Sequence, residues 1–269
     1  MSMQAQPGAS RLIEVAGTQV DLWEGGSGRP VLLLHPGDGF DAGAAYVAEL
    51  AARHRVIAPS CPGFGRSGNP PAYMRSVDDL SYFYLDLLDA LDLRGLVVIG
   101  FSFGGWLAAE IAVKSTARMA ALCLVDTVGA KFSDPMTRDI TDLFSVPLYQ
   151  HPQWLYHDET LRHPAYKDLP DEAAAILARN HQTFGLFGWA PTLHSRHLHH
   201  RLHRIGIPTH IVWGAQDRVV AVDYGRTWQQ SIAGAGMTVI DNAGHYPHVE
   251  QPGAFIAALE RFVGTVAAR

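Results

Sequence analysis

Short, nearly unbroken apolar runs recur along the chain, at residues 31–34, 56–58, 96–99, 122–125 and 210–212, each bounded by Gly, Pro or Asp. A strand with one face in water alternates apolar and polar side chains. Runs without alternation predict strands covered on both faces, as in a parallel sheet. Two shorter strands are expected ahead of them, 12–15 and 19–23, split by a tight turn at Ala16-Gly17-Thr18, and a last one at 237–240. Between the runs lie segments of helical period: 44–53, 77–91, 103–114, 223–231 and 252–263. The second repeats Leu80, Phe83, Leu87, Leu88 and Leu91 at helical spacing, with Ser76 as N-cap and Asp79 in the capping-box position. Alternating strand and helix predict an α/β fold, a mostly parallel sheet with right-handed crossovers and helices on both faces.

The rhythm breaks between residues 131 and 203, where no buried-strand run occurs and Pro and aromatic residues gather around helix-like pieces such as 171–181. It resumes at Ile207-Pro208-Thr209. The expected organisation is therefore a core of residues 1–130 and 205–269 with a helical insertion over 131–204. The first ten residues, rich in Gln, Ala, Gly and Ser, are expected to form a loose tail.

Composition narrows the class of partner. Of 269 residues 48% are hydrophobic and 17% charged, the balance of a globular chain rather than a disordered one. A net charge of -5 supplies no basic face for nucleic acid and leaves small molecules as the expected ligands. No run approaches the roughly 18 apolar residues a membrane-spanning helix needs, and the N-terminus has no secretory apolar segment. With only Cys61 and Cys123, without metal-type spacing, buried thiols in a reducing, cytoplasmic setting are expected. A homodimer is left open.

The chemistry begins at Gly100-Phe101-Ser102-Phe103-Gly104, which joins the run 96–99 directly to a helix. A serine at the tip of so sharp a strand-to-helix turn is strained, and Gly two residues to either side relieves the crowding. The following helix presents unsatisfied N–H groups, Phe103 first, where an oxyanion would form. The turn does not fit a phosphate loop, since no Lys stands in the required place. Further on, Asp217 follows the strand 210–212 and His245 follows 237–240, both at carboxyl ends of strands. A serine nucleophile, a histidine base and an aspartate to hold the imidazole make a triad for acyl transfer.

Together with His35-Pro36-Gly37-Asp38-Gly39 and Gly63-Phe64-Gly65-Arg66-Ser67, these signatures resemble the α/β-hydrolase superfamily, in its capped esterase, lactonase and C–C hydrolase branch. The resemblance implies a helical cap at 131–204, no metal or other cofactor, and a second oxyanion donor at the backbone N–H of Gly37. Pro36 departs from the family's usual Gly and cannot donate, and Asp38 is the second choice for that role. His35 is read as structural. Some relatives place the acid at the position of Asp126, but Gly214-Ala215-Gln216-Asp217-Arg218 fits the family's acid loop more closely.

Ser102 excludes relatives that use Asp at the turn for alkyl attack. The expected activity is hydrolysis of a carboxylic ester or lactone through an acyl-enzyme. The alternative is C–C hydrolysis of a diketone-type ring-fission product, against which stands Tyr246, where such enzymes commonly carry Trp. A different class on the same fold, a ligand receptor or cofactor-free oxygenase, is the third reading. Asp38, Trp106, Trp154 and Tyr246 are candidate substrate contacts, and Phe132, Phe184, Phe187 and Trp189 are further aromatic candidates for a pocket. His194, His197, His199, His200 and His203 lack an acidic or Cys partner and are read as a solvated linker rather than a metal site. Asp134, Asp139 and Asp142 are read as a solvated helix start, and His248 as a packing residue.

Overall fold

A computed structural model describes residues 8–161 and 168–267. Its centre is an eight-stranded sheet in the order β1-β2-β4-β3-β5-β6-β9-β10. β1 (Ala9–Val15) and β2 (Thr18–Gly25) form an antiparallel hairpin, and β2 pairs antiparallel with β4 (Arg55–Pro59). From β4 onward β3 (Pro30–Leu34), β5 (Leu96–Phe101), β6 (Met119–Val125), β9 (Thr209–Gly214) and β10 (Gly236–Ile240) run parallel. The hairpin turns on Ala16 (φ 47°) and Gly17 (φ 76°), two positive φ angles in succession that match the twist of the flanking strands. Of the tail expected over 1–10, residues 1–7 lie outside the described residues, whereas Ala9 and Ser10 belong to β1 and pair with Glu24 and Trp23. These exposed residues extend the ladder through backbone bonds alone, which apolar patterning does not register.

The solid apolar runs have the expected cause. Along β3, Val31 and Leu33 face one core while Leu32 and Leu34 face the other, and β5 divides in the same way. One core lies under α1 (Ala45–Ala51) and α8 (Pro252–Thr265). The opposite one lies under α2 (Val77–Ala90), α3 (Phe103–Lys114) and α6 (Val222–Ser231). The capping box of α2 is complete: Ser76 Oγ accepts the Asp79 N–H (3.1 Å) and the Asp79 carboxylate accepts the Ser76 N–H (3.0 Å). α3 is buried over nearly its whole length, and so carries no polar face.

Strand order reverses at β3, which has β4 on one side and β5 on the other. Connections leaving β3 and β5 thus diverge and open a crevice at the carboxyl ends of the sheet. Between β6 and β9 come β7 (Gly129–Ala130), α4 (Pro152–Leu155), α5 (Asp171–Gly188) and β8 (His194–Ser195), with short 3-10 turns before α4 and a seven-residue 3-10 helix, Leu198–Arg204, after β8. β7 and β8 pair as a separate two-stranded parallel sheet, too short to leave an apolar run in the sequence. α5 continues past the expected end at residue 181 to Gly188, so Gly185 is accommodated inside the helix rather than ending it. Among the described residues no helix is long and apolar enough to cross a membrane.

His35 and His248 are both built into the core. His248, on α7 (Pro247–Glu250), is 3% exposed, with its ring 4.1 Å from that of Phe101 and 4.9 Å from that of Tyr46. Burial, and then the neighbouring His245, bring its pKa down to about 3, and burial brings that of His35 down to about 4. Both rings stay neutral in the folded chain at pH values where the unfolded chain protonates them. The stability contribution of these two rings is therefore full above about pH 6.5 and is lost as pH falls, each with a slope of up to about 1.4 kcal/mol per pH unit. His248→Phe is expected to flatten the fall in unfolding free energy between pH 6.5 and 4, measured by urea titration at each pH. An unchanged slope would contradict this account.

Candidate active site

Ser102 is the N-cap of α3, with φ 50° and ψ -110°, a conformation costing a non-glycine residue about 1–3 kcal/mol. The sequence places glycine where the turn is most crowded. A Cβ on Gly104 would run into the Leu34 carbonyl of β3, and one on Gly100 into the Gly104 carbonyl. Only bare backbone lets α3 start this close to the sheet. Ser102 N–H donates to the Val125 carbonyl at the end of β6 (2.9 Å), fixing the turn to the neighbouring strand. The side chain is thereby lifted above the ends of the strands.

The two residues expected beside it are there. Ser102 Oγ lies 2.7 Å from His245 Nε2, and His245 Nδ1 lies 2.8 Å from Asp217 Oδ2. Because a carboxylate only accepts, Nδ1 carries the proton, and Nε2 is left to accept the serine hydroxyl. Asp217 Oδ1 accepts the N–H groups of Val219 (2.7 Å) and Val220 (3.0 Å), so the carboxylate cannot swing away from the ring. All three residues are buried. Such an arrangement can pass a proton from the hydroxyl to the ring as the oxygen attacks a carbonyl carbon.

Asp126, the competing acid, is also buried here, but its Oδ1 accepts the Gly214 N–H (2.9 Å) and it makes no bond to His245. Burial, and then the Asp217 charge, raise its pKa well above its ordinary value, favouring the protonated form. Asp126, Asp217 and His245 form the sole group of His, Cys, Asp or Glu side chains among the described residues whose ligand atoms come within ion-binding reach of one another. The histidines at 194–203 form no such group.

The loop after β3 forms the other wall. His35 Nδ1–H donates to the Pro36 carbonyl (2.7 Å) while its Nε2 accepts the Cys61 N–H (3.0 Å). Gly39 N–H also donates to the Pro36 carbonyl (3.1 Å). Since C=O and N–H point oppositely across one peptide plane, anchoring Pro36 O turns the Gly37 N–H the other way. Phe103, the first residue of α3, contributes an N–H that has no acceptor within the helix. Asp38 Oδ2 accepts the hydroxyl of buried Tyr246 (2.7 Å), and Asp38 Oδ1 lies 3.4 Å from His181 Nε2 on α5. Two of the expected substrate contacts therefore touch each other, across the β3 and His245 loops.

The aromatic candidates separate. Phe184 lies 5.6 Å from Phe103, ring to ring, and against Gly37, so it stands at the site. Trp106 is 4% exposed, with its ring 6.4 Å from that of Phe103, inside the core. Trp154 is partly buried against that same core. Phe132 packs on Tyr224 and Trp228, and Trp189 is 61% exposed.

Sequence reading missed the groups that hold the loops. The His245 N–H donates to the Leu155 carbonyl at the end of α4 (2.8 Å). The Glu250 carboxylate accepts the N–H groups of Gly244, His157 and Asp158, tying the histidine loop to the insertion. Asn180 of α5 bonds to Asp38 and Gly65. Cys61 and Cys123 are free and buried, and burial pushes both thiols up to about 12.

Known proteins resemble this chain over nearly its whole length. A 2-hydroxymuconate semialdehyde hydrolase of Pseudomonas sp. (strain CF600) is 26% identical over 275 residues, covering 97% of this chain and 95% of its own length. A 2-hydroxy-6-oxo-2,4-heptadienoate hydrolase of Pseudomonas putida is 28% identical, covering 94% of this chain and 95% of its own. Among solved structures, an esterase from Exiguobacterium antarcticum matches the fold with a TM-score of 0.78 at 20% identity, covering 96% of this chain and 100% of that one. The family described as "Alpha/beta hydrolase family" matches residues 31–259, from within β3 to within α8, and the chain belongs to it.

Proposed function

We propose that the protein is a serine hydrolase that cleaves a carboxylic ester or lactone through an acyl-enzyme on Ser102. The observation that carries this reading is the continuous hydrogen-bonded line Ser102–His245–Asp217, starting from a strained turn. In the first half-reaction Ser102 Oγ attacks the carbonyl carbon as His245 Nε2 takes its proton. The tetrahedral oxyanion is received by the N–H groups of Gly37 and Phe103, and His245 then protonates the leaving alkoxide. Water repeats the sequence on the acyl-enzyme and releases the acid. Residues 131–204 act as a helical cap, with Phe184 and Trp154 facing the acyl group and Trp106 backing Phe103.

The ester reading is supported by Asp38. It follows Gly37 directly in the chain and its carboxylate accepts the Tyr246 hydroxyl (2.7 Å), so a carboxylate-bearing substrate arm reaching that carboxylate would meet a like charge. A second reading, C–C hydrolysis of a diketone-type product, is favoured by the two Pseudomonas relatives, which match nearly end to end and are named for such substrates. Both readings use the same nucleophile.

A panel of short p-nitrophenyl esters, lactones and vinylogous diketones, assayed beside Ser102→Ala, separates them. Esters or lactones are expected to turn over fastest, and a serine-directed phosphonate should label Ser102. Absence of that label, or undiminished turnover by Ser102→Ala, would sink the hydrolase reading, and preference for the diketone would select the second.

Asp217→Ala is expected to lower kcat by about 10³–10⁴-fold. Asp126→Asn, which offers an N–H where the protonated carboxyl has its O–H, should keep kcat within about threefold. It should also be the more stable protein at neutral pH. Above pH 3.8 the unfolded Asp126 releases its proton while the folded one holds it, so wild-type stability falls as pH rises, and Asn abolishes that fall. A collapse of turnover in Asp126→Asn with Asp217→Ala active would reverse the assignment.

A further inference from the structure

The insertion lies against the proposed oxyanion loop through a single face of α5. Asn180, 5% exposed, donates from Nδ2 to the Asp38 carbonyl (2.7 Å) and accepts the Gly65 N–H at Oδ1 (2.8 Å). One turn later Thr183 donates its hydroxyl to the Gly63 carbonyl (2.9 Å), and Phe184 covers Gly37, where a Cβ would lie 2.8 Å from its ring. Arg179 completes the seam, its guanidinium donating to the Gly65 and Ser67 carbonyls and to Asn69 Oδ1. The fit is close on the loop side as well, for a Cβ on Gly39 would run into Asn180 Nδ2.

Peptide planarity converts this contact into an orientation. The Asp38 carbonyl that Asn180 holds shares a rigid plane with the Gly39 N–H, and that N–H donates to the Pro36 carbonyl (3.1 Å). The Pro36 carbonyl shares the next plane with the Gly37 N–H. Asn180 is thus linked to the Gly37 N–H through two hydrogen bonds and two planes that cannot flex independently.

We propose that Asn180 is a positioning residue of the active site: from the insertion, it sets the direction of the Gly37 N–H and so couples the seating of α5 to the oxyanion hole. This rests on the serine-hydrolase reading above. A donor aimed at the oxyanion acts where negative charge develops, in the tetrahedral state, more than on the bound ester. Its loss therefore falls on kcat.

The test compares Asn180→Ala and Asn180→Asp with Thr183→Ala, using p-nitrophenyl butyrate kinetics, a boronic acid as tetrahedral mimic, and thermal unfolding. Asn180→Asp keeps the size and the acceptor for Gly65 but loses the donor to Asp38. Both Asn180 variants are expected to lose about 10–100-fold in kcat, with KM within about threefold and boronate affinity falling in step with kcat. Thr183→Ala breaks the same seam away from the oxyanion loop and should lower the unfolding midpoint with kcat within about twofold. Wild-type kcat in Asn180→Asp overturns the proposal, as does a loss of kcat in all three variants that simply tracks their unfolding midpoints. Ser102→Ala, run alongside, must be inactive, and activity there would overturn the hydrolase reading instead.

Discussion

Everything at the site hangs on the crowding between the end of β3 and the start of α3. The Leu34 carbonyl occupies the space where a side chain at position 104 would sit, and the Gly104 carbonyl occupies that of position 100. The strand can pass into the helix only by way of a residue with φ 50° and ψ -110°, and that residue is Ser102. The strain of about 1–3 kcal/mol is held by the surroundings: parallel pairing of β5 to β3 and β6, burial of α3, and the bond from the Ser102 N–H to Val125. Relaxing any of these would lower the serine into the turn, away from His245.

The partners of Ser102 arrive from distant parts of the chain, and their loops need fastening. A 2.7 Å bond between residues 143 positions apart survives only if both backbones are pinned. The core pins Ser102 and Asp217. The insertion pins the others, through the Leu155 carbonyl on the His245 N–H and through Asn180 on the loop that carries Gly37. A segment that reads as an interruption of the strand–helix rhythm therefore supplies hydrogen bonds to both loops that face Ser102.

This division explains what could be read from sequence. The strands of the sheet, the Ser76–Asp79 capping box and the turn at Ser102 each depend on residues a few positions apart, and each leaves a local pattern. Asp217 and His245 were legible as residues at strand ends, and their order along the chain matched a known family. The choice between Asp217 and Asp126 was not decided by position, because both follow adjacent parallel strands; it turns on which carboxylate reaches His245. Asn180 and Glu250 left no pattern, since their partners are backbone groups more than 90 residues away or N–H groups on loops, and any sequence can offer those. Likewise β1 begins at Ala9 because of backbone pairing, independent of side-chain polarity.

The buried ionisable groups around the triad follow one electrostatic logic. His35 and His248 are kept neutral by burial, and burial and the neighbouring Asp217 favour the protonated form of Asp126. Each would otherwise place a fixed charge in a low-dielectric region where Coulomb interactions are strong. A cationic His248 would oppose formation of an imidazolium at His245, and an ionised Asp126 would repel the Asp217 carboxylate beside it. In the proposed mechanism, with these groups neutral, the charge arising at His245 on proton transfer is felt chiefly by Asp217 on one side and by the developing oxyanion on the other. The hydrophobic setting that costs stability at acid pH is thus the condition that the proposed transfer of the Ser102 hydroxyl proton to His245 requires.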